Sequence, residues 1–173
     1  MRTKIKDYVL CNDFDYFWTL TFDSERYNYD LAFKKMGKWL ERMRKKYGKF
    51  DYIMIPELHK DGAIHFHGLT GGLQASVHDS GVKHRGVKVY NCEDWEHGFT
   101  TLTKIRSKEK TASYVTKYIT KEMQNSIVKK GKKKYWLSRG LRLPVVTYSS
   151  DDLSEGLKAV YENDSCIIYK TDC

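Results

Sequence analysis

Residues 65 to 67 read His-Phe-His within the apolar run Ala63-Ile64-His65-Phe66-His67-Gly68-Leu69, and residues 114 to 121 repeat Tyr-x-x-Lys twice. A strand turns successive side chains to opposite faces, so His65 and His67 share one face and Phe66 takes the other. Two imidazoles so placed make half a metal site. On a helix, Tyr114 and Tyr118 stand one turn apart on one face, with Lys117 and Lys121 on a neighbouring face. A tyrosine hydroxyl, with a reference pKa of about 10, needs help to attack a phosphate. An adjacent ammonium favours the phenolate, and a metal polarises the phosphate. Attack would leave a phosphotyrosine at the 5′ end of one piece and free the 3′-hydroxyl of the other.

Two histidines rarely suffice for a cation, and the nearest carboxylate is Glu57. The intervening His59-Lys60-Asp61-Gly62 carries an Asp-Gly hairpin signal. A two-residue loop at Asp61-Gly62 pairs Leu58 with His65 and points Glu57 away. A three-residue loop, with Gly62 left-handed, pairs Glu57 with His65 and puts Glu57 on the histidine face. The glycine suits both loops, so the sequence leaves this register open. His59 would share the face in the second case and is a weaker candidate. Two nitrogens and one carboxylate suit Mn²⁺, Zn²⁺ or a transition metal by intrinsic preference, and Mg²⁺ when phosphate oxygens complete the shell. An isolated His-x-His is more commonly an ordinary strand, and a lone basic helix with two tyrosines often just packs on a sheet.

The elements that must position these residues are legible in part. Tyr16–Phe22 is β-branched and aromatic with bulk on both faces, and reads as a central strand. From Asn28 to Tyr47, Leu31, Phe33, Met36, Trp39, Leu40 and Met43 recur at helical spacing, with Gly48 as a terminator. Phe50–Glu57 and Ala63–Thr70 read as paired strands. Residues 71 to 91 have weak periodicity and read as an irregular excursion ending in a short strand at Val87–Tyr90. Phe99–Arg106 alternates as a further strand. Ser107–Gln124 reads as the tyrosine helix, with Ser107 near its N-cap. A basic loop at Lys129–Lys134, a short helix over Asp152–Tyr161 and a strand at Cys166–Tyr169 complete the reading.

The 173 residues, 40% of them hydrophobic, allow one domain with a real core, assigned here to residues 1–173. A balance of 31 Lys+Arg against 22 Asp+Glu gives a net charge of +9, which fits a polyanionic partner such as nucleic acid. Cys11, Cys92, Cys166 and Cys173 have no Cys-x-x-Cys spacing, which argues against a zinc finger or a disulfide framework. With no apolar signal core and no membrane-spanning stretch, the expectation is a soluble, cytoplasmic protein without membrane partners.

Phe17-Trp18-Thr19-Leu20-Thr21-Phe22, then Glu57 with His65-Phe66-His67, then Tyr114 to Lys121, stand in that order. The series resembles the three motifs of the HUH endonucleases that initiate rolling-circle replication, where U is a bulky apolar residue, here Phe66. The likeness is nearest to replication-associated proteins of phages and bacterial plasmids. Trp95-x-x-Gly98-Phe99 and Ser138-Arg139-Gly140-Leu141 also look like that group. The resemblance covers about residues 14 to 144, and residues 145–173 stay unassigned.

The resemblance implies an α+β fold, a central antiparallel sheet of about five strands flanked by helices, with the histidines on a middle strand and the tyrosine helix across from them. It implies a divalent metal, Mg²⁺ or Mn²⁺, held by His65, His67 and Glu57. The nucleophile would be Tyr118 or Tyr114, or both, as in the paired arrangement of the gene A initiators of small icosahedral phages. Tyr118 ranks first because Tyr118-Ile-Thr-Lys121 ends the motif as in single-tyrosine members. Lys117 and Lys121 would steady the phosphate or the phenolate. Phosphate tracking would fall to Lys104, Arg106, Lys132, Lys133, Arg139 and Arg142.

The implied activity is metal-dependent, site-specific nicking and rejoining of single-stranded DNA at an origin hairpin. The sequence has no Gly-x-x-x-x-Gly-Lys-Ser/Thr loop, so a host or separate helicase would unwind the duplex. A tyrosine transposase or a relaxase would keep the chemistry and change the biology, although relaxases usually carry a three-histidine cluster and an early tyrosine. A basic DNA-binding regulator without catalysis is the other alternative.

Overall fold

The computed structural model describes residues 2–125, 135–145, 159–163 and 166–169. The chain divides into two compact units, Met1–Leu143 and Pro144–Cys173. The first holds helices α1 (Arg2–Cys11), α2 (Tyr29–Tyr47) and α3 (Lys108–Asn125). Its strands are β1 (Tyr16–Thr21), β2 (Asp51–Leu58), β3 (Ile64–Gly71), β4 (Val77–His84), β5 (Val87–Cys92), β6 (Thr100–Lys104) and β7 (Trp136–Leu137). They form one sheet in the order β4-β5-β6-β1-β3-β2-β7, antiparallel at every pairing. The architecture is the expected α+β one, but the sheet has seven strands where about five were expected.

The extra strands come from segments with little apolar signal. Val77–His84 is exposed along most of its length. A strand buried on neither face has no hydrophobic alternation to betray it, so residues 71–91 read as an irregular excursion. They in fact carry β4 and β5. β7 is two residues long and docks on the β2 edge. There Ser138 N–H donates to the Tyr52 carbonyl at 3.0 Å, and Ser138 Oγ accepts from Tyr52 N–H at 3.0 Å.

Two apolar layers sandwich the sheet. On one side α2 sets Met36, Trp39, Leu40 and Met43 against Trp18, Leu20, Met54, Phe66 and Trp95. Fully burying each such side chain contributes roughly 1.5–3 kcal/mol. Each buried indole also finds an acceptor: Trp18 Nε1 donates to Thr70 Oγ1 at 2.7 Å, Trp39 Nε1 to the Asp94 carbonyl at 3.0 Å, and Trp95 Nε1 to the Thr21 carbonyl at 2.8 Å. Asn28 caps α2 through its side chain, and Gly48 ends it at φ 81°.

On the other side α1 and α3 pack together, joining Ile5, Val9, Ala112 and Val115 to Ile53, Ile55 and Leu69. Ile5, Tyr8 and Val9 already stand at helical spacing in the sequence. Ser107 Oγ accepts the Lys110 N–H at 3.2 Å and opens α3 as its sequence signalled.

In the second unit β8 (Ala159–Asn163) and β9 (Cys166–Tyr169) form an antiparallel pair. The strand at Cys166–Tyr169 is as expected. The short helix placed over 152–161 is corrected at its end, because Ala159–Tyr161 is strand. Val160 and Tyr161 are strand formers, and pairing with β9 satisfies their backbone. The rest of that segment, and the basic loop at 129–134, lie outside the described residues.

Candidate active site

The β2–β3 hairpin closes with the three-residue loop. His59 N–H donates to the Ala63 carbonyl at 2.8 Å, Gly62 N–H donates back to the His59 carbonyl at 3.0 Å, and Gly62 sits at φ 85°. Asp61 Oδ1 accepts the Ala63 N–H at 3.0 Å and supports the turn. Glu57 therefore pairs with His65, and Ile55 with His67. Across the other edge of β3, His65 faces Thr21 and His67 faces Thr19. Directly opposed residues share a sheet face. Glu57, His65 and Thr21 thus form one row, and Ile55, His67, Thr19 and Thr101 the next. The register continues beyond Thr21 to Phe99, whose carbonyl accepts the Thr21 N–H at 2.9 Å and whose ring is 60% exposed.

His67 is the hub of this face. Its Nε2 lies 2.6 Å from Glu57 Oε2, and its Nδ1 lies 3.1 Å from Thr19 Oγ1. Glu57 and His67 are both buried. The network assigns the proton to Nε2, donating to the carboxylate, while the Thr19 hydroxyl donates to Nδ1. His65, half-buried on the same face, stacks on His59 with ring centroids 4.3 Å apart. Burial, then the charges of His59 and His67, lower the His65 pKa.

α3 lies over β2 and β3. Tyr118 stacks on His67 with centroids 3.9 Å apart and an interplanar angle of 18°. Its hydroxyl donates to that of Tyr114 at 2.5 Å, and the two rings meet edge to face at 5.1 Å. Phe17 supports the cluster, 5.3 Å from Tyr114 and 5.9 Å from His67. Burial raises the Tyr118 pKa, and the Tyr114 hydroxyl and the Glu57 charge push it the same way. As folded, Tyr118 is a neutral phenol.

Comparison with known proteins adds the lineage. The family model for replication-associated proteins of the ORF2 type matches residues 15–123, well over half of the chain. The chain belongs to that family. The matched segment runs from β1 to α3 and includes Glu57, both histidines and both tyrosines. Membership in a replication-associated family implies interaction with DNA. No curated protein and no solved structure gives a significant match.

Within this replication-associated framework, a cation is tested by the donors present. One carboxylate and two imidazoles on one face are a suitable donor set for a divalent metal. Glu57 Oε2 and His67 Nε2 converge at 2.6 Å, close to the spacing of two ligands on one ion. Among the described residues, however, no group of three or more His, Cys, Asp or Glu side chains is arranged to hold a metal. The chemistry of the donors fits, and the third ligand is not drawn in.

The remaining expected site residues scatter. Lys117 is exposed on α3, and the side chain of Lys121 lies outside the described ones. Lys104 and Arg106 are exposed at and beyond the end of β6, and Arg139 in the turn after β7. Arg142 Nη2 lies 3.4 Å from Asp13 Oδ2, beside the 2.6 Å Lys108–Asp13 pair. Lys132 and Lys133 fall outside the described residues.

Sequence reasoning missed Thr19 and Phe17 as site residues. Both lie in the first motif, and strand alternation would have placed them on one face. Choosing that face required the pairing of β1 with β3.

Proposed function

We propose that this chain is an HUH-type endonuclease that nicks single-stranded DNA through a 5′-phosphotyrosine intermediate and so initiates rolling-circle replication. The observation that carries the reading is the stack of Tyr118 on His67, which sets a paired phenol directly over the carboxylate–imidazole hub. The family match supports the biological setting.

In this reading the Tyr118 oxygen attacks the scissile phosphorus. Its proton leaves along the hydrogen bond to Tyr114, whose own proton passes to solvent. The new bond joins tyrosine oxygen to the 5′-phosphate, and the phosphorus–O3′ bond breaks. The 3′-oxygen departs with the electron pair and is protonated. Rejoining runs the same steps backward, and Tyr114 stands where a second phenol could take an alternate turn. Glu57, His65 and His67 would hold a divalent cation, Mn²⁺ or Mg²⁺, which when bound supplies Lewis-acid withdrawal of charge from a phosphate oxygen. The Tyr118 hydroxyl is raised by its surroundings, so it needs such an opposing charge to ionise. Exposed Phe99, in the row of His65, offers a ring on which an unpaired base could stack.

The test is a denaturing gel after incubation with single-stranded oligonucleotides covering the parent replicon and Mn²⁺. A covalent adduct on one strand supports the reading. No adduct with any strand, with or without metal, would reduce the protein to a DNA-binding regulator.

A further inference from the structure

We propose that the β4–β5 hairpin is an arm that grips duplex DNA beside the nicked strand. The inference takes DNA as the polymer from the reading above and adds the double helix as a second partner. β5 pairs with β6 only through Val89 and Tyr90. Beyond them Lys83 pairs with Lys88 and His84 with Val87, so the end of the hairpin runs on as a free two-stranded ribbon. From Val89 to the turn it extends about 13 Å, longer than the depth of a DNA major groove, about 8.5 Å, and a two-stranded ribbon fits that groove.

Its chemistry is one-sided. Residues 80 to 92 contain Lys83, Arg85 and Lys88 and no carboxylate, and all three cations are exposed. Two local rules are broken to place them. Lys83 stands directly opposite Lys88, a like-charge pair that weakens a hairpin. Asp79 relieves Lys88 at 2.8 Å. Arg85 occupies the first position of a two-residue turn at φ 49°, followed by Gly86 at φ 74°. That geometry favours asparagine or glycine and strains an arginine. Departures of this kind concentrate where function requires them.

The missing aromatics choose the partner. A single-strand platform presents exposed rings. The one Phe, Tyr or Trp between residues 80 and 92 is Tyr90, which packs on Tyr16 in the core. Cations without rings, on a protruding ribbon, fit the phosphates flanking a groove of double-stranded DNA.

The experiment compares wild type with the double variant Lys83→Gln/Arg85→Asn. Asparagine suits the turn, so a purely structural arginine predicts unchanged or better binding and an equal or higher melting temperature. Fluorescence anisotropy is followed across a salt series, with a labelled hairpin duplex and a labelled single strand of the same sequence. Loss of two phosphate contacts flattens the duplex plot of log K against log salt by about 1.8. The expected result is that change with little effect on the single strand. Unchanged duplex affinity and slope would overturn the arm, as would an equal loss on both probes. Adduct formation by wild type is scored separately, so a failed nicking reaction and a failed arm are told apart.

Discussion

Tyr118 lies ring to ring on His67, 3.9 Å between centroids, and passes its hydroxyl hydrogen toward Tyr114. The contact joins a helix and a strand 51 residues apart in sequence, and ties the state of the phenol to the imidazole whose Nε2 faces Glu57. Tyr118→Phe keeps the stack and removes the oxygen. Adduct formation should fall by about four orders of magnitude, the scale on which a lost nucleophile acts, while the melting temperature changes little. Tyr114→Phe should reduce rejoining more than first cleavage, as measured by release of bound DNA from an isolated adduct. Equal adduct yield in Tyr118→Phe would move the nucleophile to Tyr114.

Metal addition provides a readout independent of catalysis. If Glu57, His65 and His67 hold a cation, Mn²⁺ at one hundred times its dissociation constant should stabilise the fold by about 2.7 kcal/mol, and a chelator should reverse the gain. His67→Ala and Glu57→Ala should each lose the response. An equal rise in melting temperature in those variants would place the cation elsewhere.

Thr19 contacts the imidazole nitrogen that faces away from Glu57. Its hydroxyl can donate to a bare Nδ1 or accept from Nδ1–H, so it serves either tautomer of His67. Thr19→Val should therefore weaken Mn²⁺ affinity by roughly 10–100-fold, as loss of a ligand's hydrogen-bond partner does. Calorimetric titration checks this against a Thr19→Ser control that restores the hydroxyl.

Gly68 follows the histidines where β3 crosses β2. A Cβ there would come within 2.0 Å of Met54 Sδ and 2.8 Å of the Ile53 carbonyl oxygen. The methionine can swing aside, but the carbonyl belongs to β2 and moves only with the strand carrying Glu57. Gly68→Ala should cost about 1–3 kcal/mol and disturb the Glu57–His67 contact. Urea unfolding and Mn²⁺ titration would show both.

Asp94 gathers the far side of the fold. Its carboxylate accepts from Lys46 at 2.6 Å and from the Tyr47 hydroxyl at 2.7 Å, and its side chain is 9% exposed. Burial pushes its carboxyl up, but Lys46, Tyr47 and the Ser76 N–H outweigh that and hold it below the ordinary range. A lowered folded pKa contributes stability that is complete above the unfolded value, about 3.9, and is lost as pH falls through the folded one. Asp94→Asn should thus cost about 1–3 kcal/mol at neutral pH. The gap between native and variant melting temperatures should narrow below about pH 4.

Much of this was legible in the chain because local rules agreed with the fold. α2 is bounded by Asn28 and Gly48 and buries Met36, Trp39, Leu40 and Met43, and its hydrophobic period is that of one buried stripe. β1, flanked by β3 and β6, carries bulk on both faces because helices cover both. β4 obeys no such period, since most of it faces solvent.

The sequence by itself determined that His65 and His67 share a face and that Tyr114 and Tyr118 stand one turn apart, because those follow from the repeat of a strand and of a helix. It left Glu57 undecided between two loops, one residue apart, which point the side chain to opposite faces. Hydrogen bonding across His59, Gly62 and Ala63 decided that register. Only the tertiary structure brought Tyr118 over His67, because the packing of α3 on β2 and β3 depends on apolar surfaces from distant segments meeting. It also set Thr19 behind the ring, through the pairing of β1 with β3, and no local spacing records which strands will be neighbours.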